Sequence, residues 1–230
     1  MEVKVSESIG RCRWNYKGED FKSLKKSGTF FFCTIREAKY LLDTMNGVVA
    51  YDRDAFKVSS WLPFLEGRAL NWKGSYYLHA AQLSGREVGM FCRSNGSDKE
   101  WSGQMIRDAS DIDLIKSQVP PDEMMFVAPG RSLSGEWRIW MHCGRRVAGT
   151  KYDNPFCEYH GGGGSLEGAF EFAERLAGGF EPDERYVADV ALTDSGYRLV
   201  EYNGYSTSGF YDVDPEELVS RTLESFEEDR

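Results

Sequence analysis

The stretch YVADVALTDSGYRLVEYN, residues 186–203, decides the fold. It reads as two strands, 187–192 and 197–203, joined by the tight Asp194-Ser195-Gly196 loop. Three-residue loops with glycine at the left-handed position are a common hairpin solution. That loop pairs Thr193 with Tyr197, and counting back sets Ala191 opposite Leu199, Asp189 opposite Glu201 and Val187 opposite Asn203. Side chains alternate faces along a strand. Asp189, Glu201 and Asn203 therefore share one face, while Ala188, Val190, Val200 and Tyr202 share the other.

Carboxylates directly opposite on a sheet repel and destabilise it unless something compensates. One can be protonated, a Lys or Arg such as Arg185 can pair with them, or a cation can bind. Two carboxylates and an amide are hard oxygen donors of the kind magnesium takes, together with waters and phosphate oxygens.

Outward from the hairpin, residues 28–33 (GTFFFC) read as a buried strand, and Thr34 with Glu37 forms a capping box that opens a helix. Ile35, Ala38, Leu41, Leu42 and Met45 give that helix an apolar stripe, Asn46-Gly47 ends it, and 48–51 (VVAY) is a second short strand. This small α/β unit reads as scaffold, and residues 1–26 carry no assignable function. Residues 52–87 hold Trp61, Trp72, Tyr76 and Tyr77 without a period, as core or as a substrate wall. A strand over 88–93 ends on Arg93 and runs into a polar loop containing Lys99; 124–128 (MMFVA) is another strand, broken by Pro129-Gly130. Along 136–143, Glu136, Arg138, Trp140 and His142 alternate with Trp137, Ile139, Met141 and Cys143. A two-residue turn near Gly144 would set Lys151 on the face of Glu136 and Arg138. Four glycines, 161–164, read as a loop able to cover a ligand; helices follow over about 165–177 and from Asp214-Pro215 onward, with Glu217 completing a capping box.

The bulk numbers narrow the function. A formal charge of −9 over 230 residues disfavours a general nucleic-acid binder but leaves room for a local basic pocket. With 41% hydrophobic residues the chain can build a core. Five cysteines without a CxxC pair fit neither a disulfide framework nor a zinc site. No apolar run approaches bilayer length and the N-terminus has no secretory pattern, so a cytoplasmic protein without a membrane partner is expected. His79, His142 and His160 show no ligand spacing. Neither a Walker lysine loop nor a Gly-x-Ser-x-Gly elbow is present, which argues against P-loop and esterase chemistry.

Residues 186–211 resemble the metal-binding end of ATP-grasp enzymes, in which an Asp, and a Glu two residues before an Asn, hold magnesium against ATP phosphates. Further blocks match a bacterial and phage clade that replaces the usual ATP-binding lysine with arginine. They are Arg93 in MFCRSNGSDKEWSG, Glu136-Trp137-Arg138, 149–152 (GTKY) and 208–211 (SGFY). The resemblance implies an α+β ATP-grasp fold, two α/β subdomains clamping ATP over 88–230, preceded by a small α/β region over 1–87. It implies ATP and Mg2+ as cofactors, with Asp189, Glu201 and Asn203 as metal ligands. Arg93, Lys99, Glu136, Arg138 and Lys151 would hold the nucleotide, with Met125 and Val127 on the strand beside adenine. It implies ligation of a small-molecule or peptide carboxylate to an amine through an acylphosphate, with Arg138 and Lys151 as catalytic groups. A binding or immunity-type scaffold and a phosphotransferase are the alternatives. Several ligases of the superfamily carry an arginine two residues before the metal-binding Asp; Val187 stands there in this chain.

Overall fold

A computed structural model describes residues 2–6, 15–17, 29–44, 49, 54–96, 101, 103–151 and 163–228. The strands β1 (Glu2–Ser6), β2 (Asn15–Tyr16) and β3 (Thr29–Phe32) form a parallel sheet in the order β2-β1-β3. The run of phenylalanines in β3 serves two cores at once. Phe31 joins the cluster around Leu41 and Trp61, while Phe30 and Phe32 pack with Tyr205, Phe210 and Phe226 of the C-terminal part. Helix α1 (Ile35–Thr44) opens on the expected capping box: the Thr34 amide donates to Glu37 Oε2 at 2.8 Å, and the Glu37 amide donates to Thr34 Oγ1 at 3.3 Å. The strand expected over 48–51 lies outside the described residues except for Val49, which is buried.

The short α2 (Val58–Trp61) carries Trp61 into the core, edge-on to Tyr202 at 5.5 Å. Within the aromatic segment, Trp61 is thus core, whereas Trp72, Tyr76 and Tyr77 are exposed. The chain at 68–70 then lies along Leu199, through Leu70 N to Leu199 O at 2.8 Å and Leu199 N to Arg68 O at 2.9 Å.

A second sheet contains β4 (Tyr76–His79), β5 (Met90–Ser94), β6 (Gln104–Met105) and β7 (Met124–Pro129), antiparallel in the order β4-β7-β5-β6. Because β4 pairs with β7, this sheet extends across the boundary expected at 87/88. Helix α3 (Ala109–Gln118), N-capped by Asp108, packs Ile112 and Ile115 on Cys92, Met125 and Val127. Sequence alone gives no clean stripe for α3, since Leu114 is apolar yet exposed beside them.

The third sheet holds β8 (Gly135–His142), β9 (Arg145–Lys151), β10 (Arg185–Thr193) and β11 (Gly196–Gly204), antiparallel in the order β11-β10-β8-β9. One face packs on α4 (Leu166–Ala177) through Ala169, Ala173 and Leu176. The other packs Trp140 and Val187 against β3 and against α5 (Pro215–Glu228), which supplies Leu218, Val219 and Phe226. Among the described residues no helix is long and apolar enough to cross a membrane.

Two stability predictions arise here. Ser165 caps α4, its Oγ accepting from the Gly168 amide at 3.0 Å. Ser165→Ala is expected to cost about 1 kcal/mol, the usual value of such a cap, read from urea unfolding. The β8–β9 turn places Cys143 at φ 47 and Gly144 at φ 75. A left-handed conformation costs an ordinary residue about 1–2 kcal/mol, and such turns favour Asn-Gly. Cys143→Asn should therefore raise the thermal midpoint.

Candidate active site

Asp189 does face Glu201, and Val187 faces Asn203. The register reaches that pairing by another route than the one expected. The loop is two residues long, Asp194-Ser195, and pairs Thr193 with Gly196 at φ 93. Counting from that turn alone would slip the carboxylates by one position. A bulge leaves Val200 as the extra residue on β11 between the Asp189–Glu201 and Val190–Leu199 pairs, and so restores the register. Leu199, rather than Val200, consequently joins the buried face beneath α4.

Repulsion between the opposed carboxylates is resolved by two arginines. Arg138 on β8 lies directly across from Asp189 on β10. Its guanidinium grips the carboxylate bidentately, Nε to Oδ1 at 2.8 Å and Nη2 to Oδ2 at 2.7 Å. Nη1 donates to the Gly209 carbonyl at 3.4 Å, and the Tyr211 ring covers the guanidinium at 4.7 Å. Asp189 is 1% exposed and Arg138 4%. Burial by itself would lower the pKa of Arg138, but the Asp189 charge and its hydrogen bonds, aided by Tyr211 and Glu201, outweigh it and raise the pKa. Glu201 forms its ion pair with Arg93 of β5, a bond that ties the second sheet to the third. Arg185, the alternative partner, pairs with Glu184 instead.

Asn203 sits between the two carboxylates. Its Nδ2 donates to Asp189 Oδ2 at 3.0 Å and to Glu201 Oε1 at 3.1 Å. Both acids are thus within one hydrogen bond of the same amide, and rotating that amide would present Oδ1 in place of the donor. Asp189 and Glu201 offer hard oxygen donors, and Asn203 would add a third with its amide turned, a donor set of the kind magnesium takes. Glu136 is buried two positions before Arg138 on the same strand, hence on the same face.

Other expected residues fall elsewhere. Lys151 is not on the Arg138 face: a bulge at Val147 shifts β9 by one, pairing Arg138 with Thr150 and Lys151 with Trp137, toward α4. Met125 and Val127 are fully buried under α3, so their side chains do not line a nucleotide cleft. The β7 backbone is paired on both edges over 125–127, by β4 and β5, whereas at 128–129 only β5 pairs with it. Lys99 lies outside the described residues. In the glycine run, 161 and 162 lie outside them too, while Gly164 is a close approach at φ 82, where a Cβ would come within 2.8 Å of Trp137. The contacts of Gly209 and Tyr211 with Arg138 were not foreseen. The only signal for them is the SGFY block that follows Asn203 by a few residues. Tyr211 holds φ 50, an outlier for a bulky side chain.

A second group of donor atoms, from His142, Cys143 and Glu184, lies within 4.8 Å at the far end of β8. Glu184 is half-exposed and already matched by Arg185, and the group reads as a surface ion-pair cluster.

Residues 50–222 match a family described as an ATP-grasp domain, the third family of its clade. The chain belongs to this family. The ATP-grasp match includes β4, in keeping with its place in the second sheet. Among solved structures, the RimK domain protein ATP-grasp from Sphaerobacter thermophilus superposes with a TM-score of 0.58 at 12% identity, covering 98% of this chain and 96% of that one. The D-alanine–D-alanine ligase from Bacillus anthracis gives 0.58 at 10% identity, covering 97% and 89%. The enzyme of that name from Coxiella burnetii gives 0.55 at 11%, covering 81% and 59%. At such identities the likeness is one of fold. Among curated proteins, none matches the sequence.

Proposed function

We propose that this ATP-grasp chain is an ATP- and magnesium-dependent ligase that joins a carboxylate to an amine. The observation that carries this reading is the convergence of Asp189, Glu201 and Asn203 on one face, flanked by Arg93 from the opposing sheet and Arg138 from the neighbouring strand. The family supports ATP as the ligand, and ligases stand among the structural relatives. A local basic pair in a chain of net charge −9 suits a triphosphate better than a nucleic acid. Dependence on ATP suits a cytoplasmic setting.

Arg93 would be the clade's arginine in place of the usual lysine, and it would bind phosphate oxygens. Arg138 is first a positioning residue, since its grip on Asp189 fixes that carboxylate. Asp189, Glu201 and, with its amide turned, Asn203 would hold magnesium, which would supply positive charge against the charge that develops on the phosphates. The base edge would meet the end of β7 at 128–129 and the chain that crosses between sheets at 130–133. A substrate carboxylate oxygen attacks the γ-phosphorus, the bond to the β-phosphate oxygen breaks, and ADP leaves. The amine nitrogen then attacks the acyl carbon, loses a proton, and the bond to phosphate breaks to leave an amide. With Val187 where an arginine stands in several ligases, Arg138 would be the cation to stabilise the acylphosphate.

A non-catalytic scaffold is the second reading, favoured by the fact that both carboxylates already have arginine counter-ions. A screen of ADP release over amino acids, small carboxylates and amines tests these readings. The ligase reading expects ADP and phosphate release that requires both acid and amine. ADP release that leaves a stable phosphorylated product would point to a phosphotransferase, and no release over the whole screen would favour the scaffold.

A further inference from the structure

We propose that Arg93 is an exchangeable counter-ion. It neutralises Glu201 until Mg-ATP arrives, then passes to the triphosphate, so that metal and nucleotide enter together and free divalent cation binds poorly. This rests on the magnesium-ATP reading and concerns how that site is filled.

The two arginines differ in how they are held. Arg138 makes two bonds to Asp189 and a third to Gly209, lies under Tyr211, and belongs to the same sheet as the acid it serves. Arg93 reaches Glu201 from the other sheet through Nη1, and its Nε is satisfied by the neighbouring Ser94 carbonyl at 3.1 Å. Withdrawing Arg93 breaks the link between sheets while leaving the grip on Asp189 intact. Of the two cations, Arg93 is the one that can leave.

The charges favour one leaving. Arg93 offsets Glu201 and Arg138 offsets Asp189, with Asn203 as the neutral bridge. A divalent ion gains more attraction from this group of side chains once it has lost a guanidinium. Free metal has nothing to offer Arg93 in exchange for Glu201. A nucleotide triphosphate does, since phosphate oxygens are strong acceptors for a guanidinium. Once Arg93 moves, Glu201 loses that counter-ion and the Asn203 amide can turn its oxygen toward the ion. Linkage then demands that nucleotide raise metal affinity and metal raise nucleotide affinity by the same factor.

The signature is a pair of effects of opposite sign on one substitution. In Arg93→Gln, affinity for free cation should rise while affinity for nucleotide falls. A residue that only binds phosphate would leave free-cation affinity unchanged, and one needed only for folding would weaken both.

The test uses Mn2+ as the probe, followed by electron paramagnetic resonance, with and without a non-hydrolysable ATP analogue. Arg93→Gln is expected to bind free Mn2+ about tenfold more tightly than the wild-type protein, within the usual range of such couplings. Arg93→Gln/Glu201→Gln should lose that gain. Arg93→Lys, which keeps the charge, should bind free Mn2+ as weakly as wild type, and it serves also if the glutamine variant does not fold. The exchange is overturned if Arg93→Gln binds free Mn2+ no better than wild type while the Glu201-dependent Mn2+–nucleotide complex still forms in the latter. It is equally overturned if Arg93→Lys gains as much as Arg93→Gln. If no variant or wild type binds Mn2+ even with nucleotide, the magnesium-ATP reading itself fails, and the exchange with it.

Discussion

Glu201→Gln is expected to reduce ADP release by about 10²-fold or more, the scale seen when one preorganised electrostatic partner is removed, while the protein stays folded. Glutamine keeps the shape of the side chain and a carbonyl oxygen, but it removes the charge that would hold the metal and balance Arg93. The Glu201 side chain retains 13% exposure and Arg93 12%, so water can reach the arginine left behind. Stability should therefore fall less than on breaking the fully buried Arg138–Asp189 pair. At the binding step, the magnesium-dependent part of the affinity for an ATP analogue should vanish, as read by calorimetry with and without Mg2+. Retained turnover together with retained magnesium dependence would remove Glu201 from the site.

Arg138→Met has the opposite profile and the larger effect on the fold. It leaves Asp189 as a buried carboxylate with the Asn203 amide and without its two guanidinium bonds. Removing one partner of a buried ion pair typically costs about 3–5 kcal/mol, because the remaining charge cannot return to water. Urea unfolding should show that loss. Arg138→Met/Asp189→Leu should recover much of it, since replacing both members with apolar side chains removes the unpaired charge. A single substitution costing under about 1 kcal/mol would mean that Asp189 is solvated, contrary to its burial.

The contrast between these two acids was only partly legible in the sequence. Alternation placed Asp189, Glu201 and Asn203 together, and that grouping stands because the bulge at Val200 compensates for a loop one residue shorter than expected. The same arithmetic failed for Lys151, where the bulge at Val147 sends the lysine to the opposite face. Bulges leave no reliable mark on an alternating pattern of Val, Tyr and Arg, so counting from a turn holds only as far as the first one. Capping signals travelled better. Thr34 with Glu37 depends on neighbours in the chain and is found, whereas at the start of α5 Asp214 Oδ1 accepts from the Glu216 amide and Glu217 pairs with Arg221.

What lies across space was less accessible. The MMFVA strand read equally well for either face. Only the packing of α3 shows that Met125 and Val127 turn inward, while Phe126 and Ala128 join the other core. Val3 and Val5 alternate in β1, yet their place beside β3 depends on a parallel pairing that no short-range signal announces. The Arg93–Glu201 pair joins residues 108 positions apart, and the Arg138–Tyr211 contact needs the turn after β11 to fold back. Neither is visible without the fold. The family likeness named Arg93, Arg138 and Glu201, but not their partners.

The most direct test of the central claim is a structure of the protein with an ATP analogue and magnesium. The expected result is a magnesium ion about 2.0–2.1 Å from oxygens of Asp189, Glu201 and Asn203, with Asp189 still gripped by Arg138 and Arg93 turned from Glu201 to a phosphate. Nucleotide bound elsewhere, or bound here with Arg93 still on Glu201 and no metal at these side chains, would contradict it.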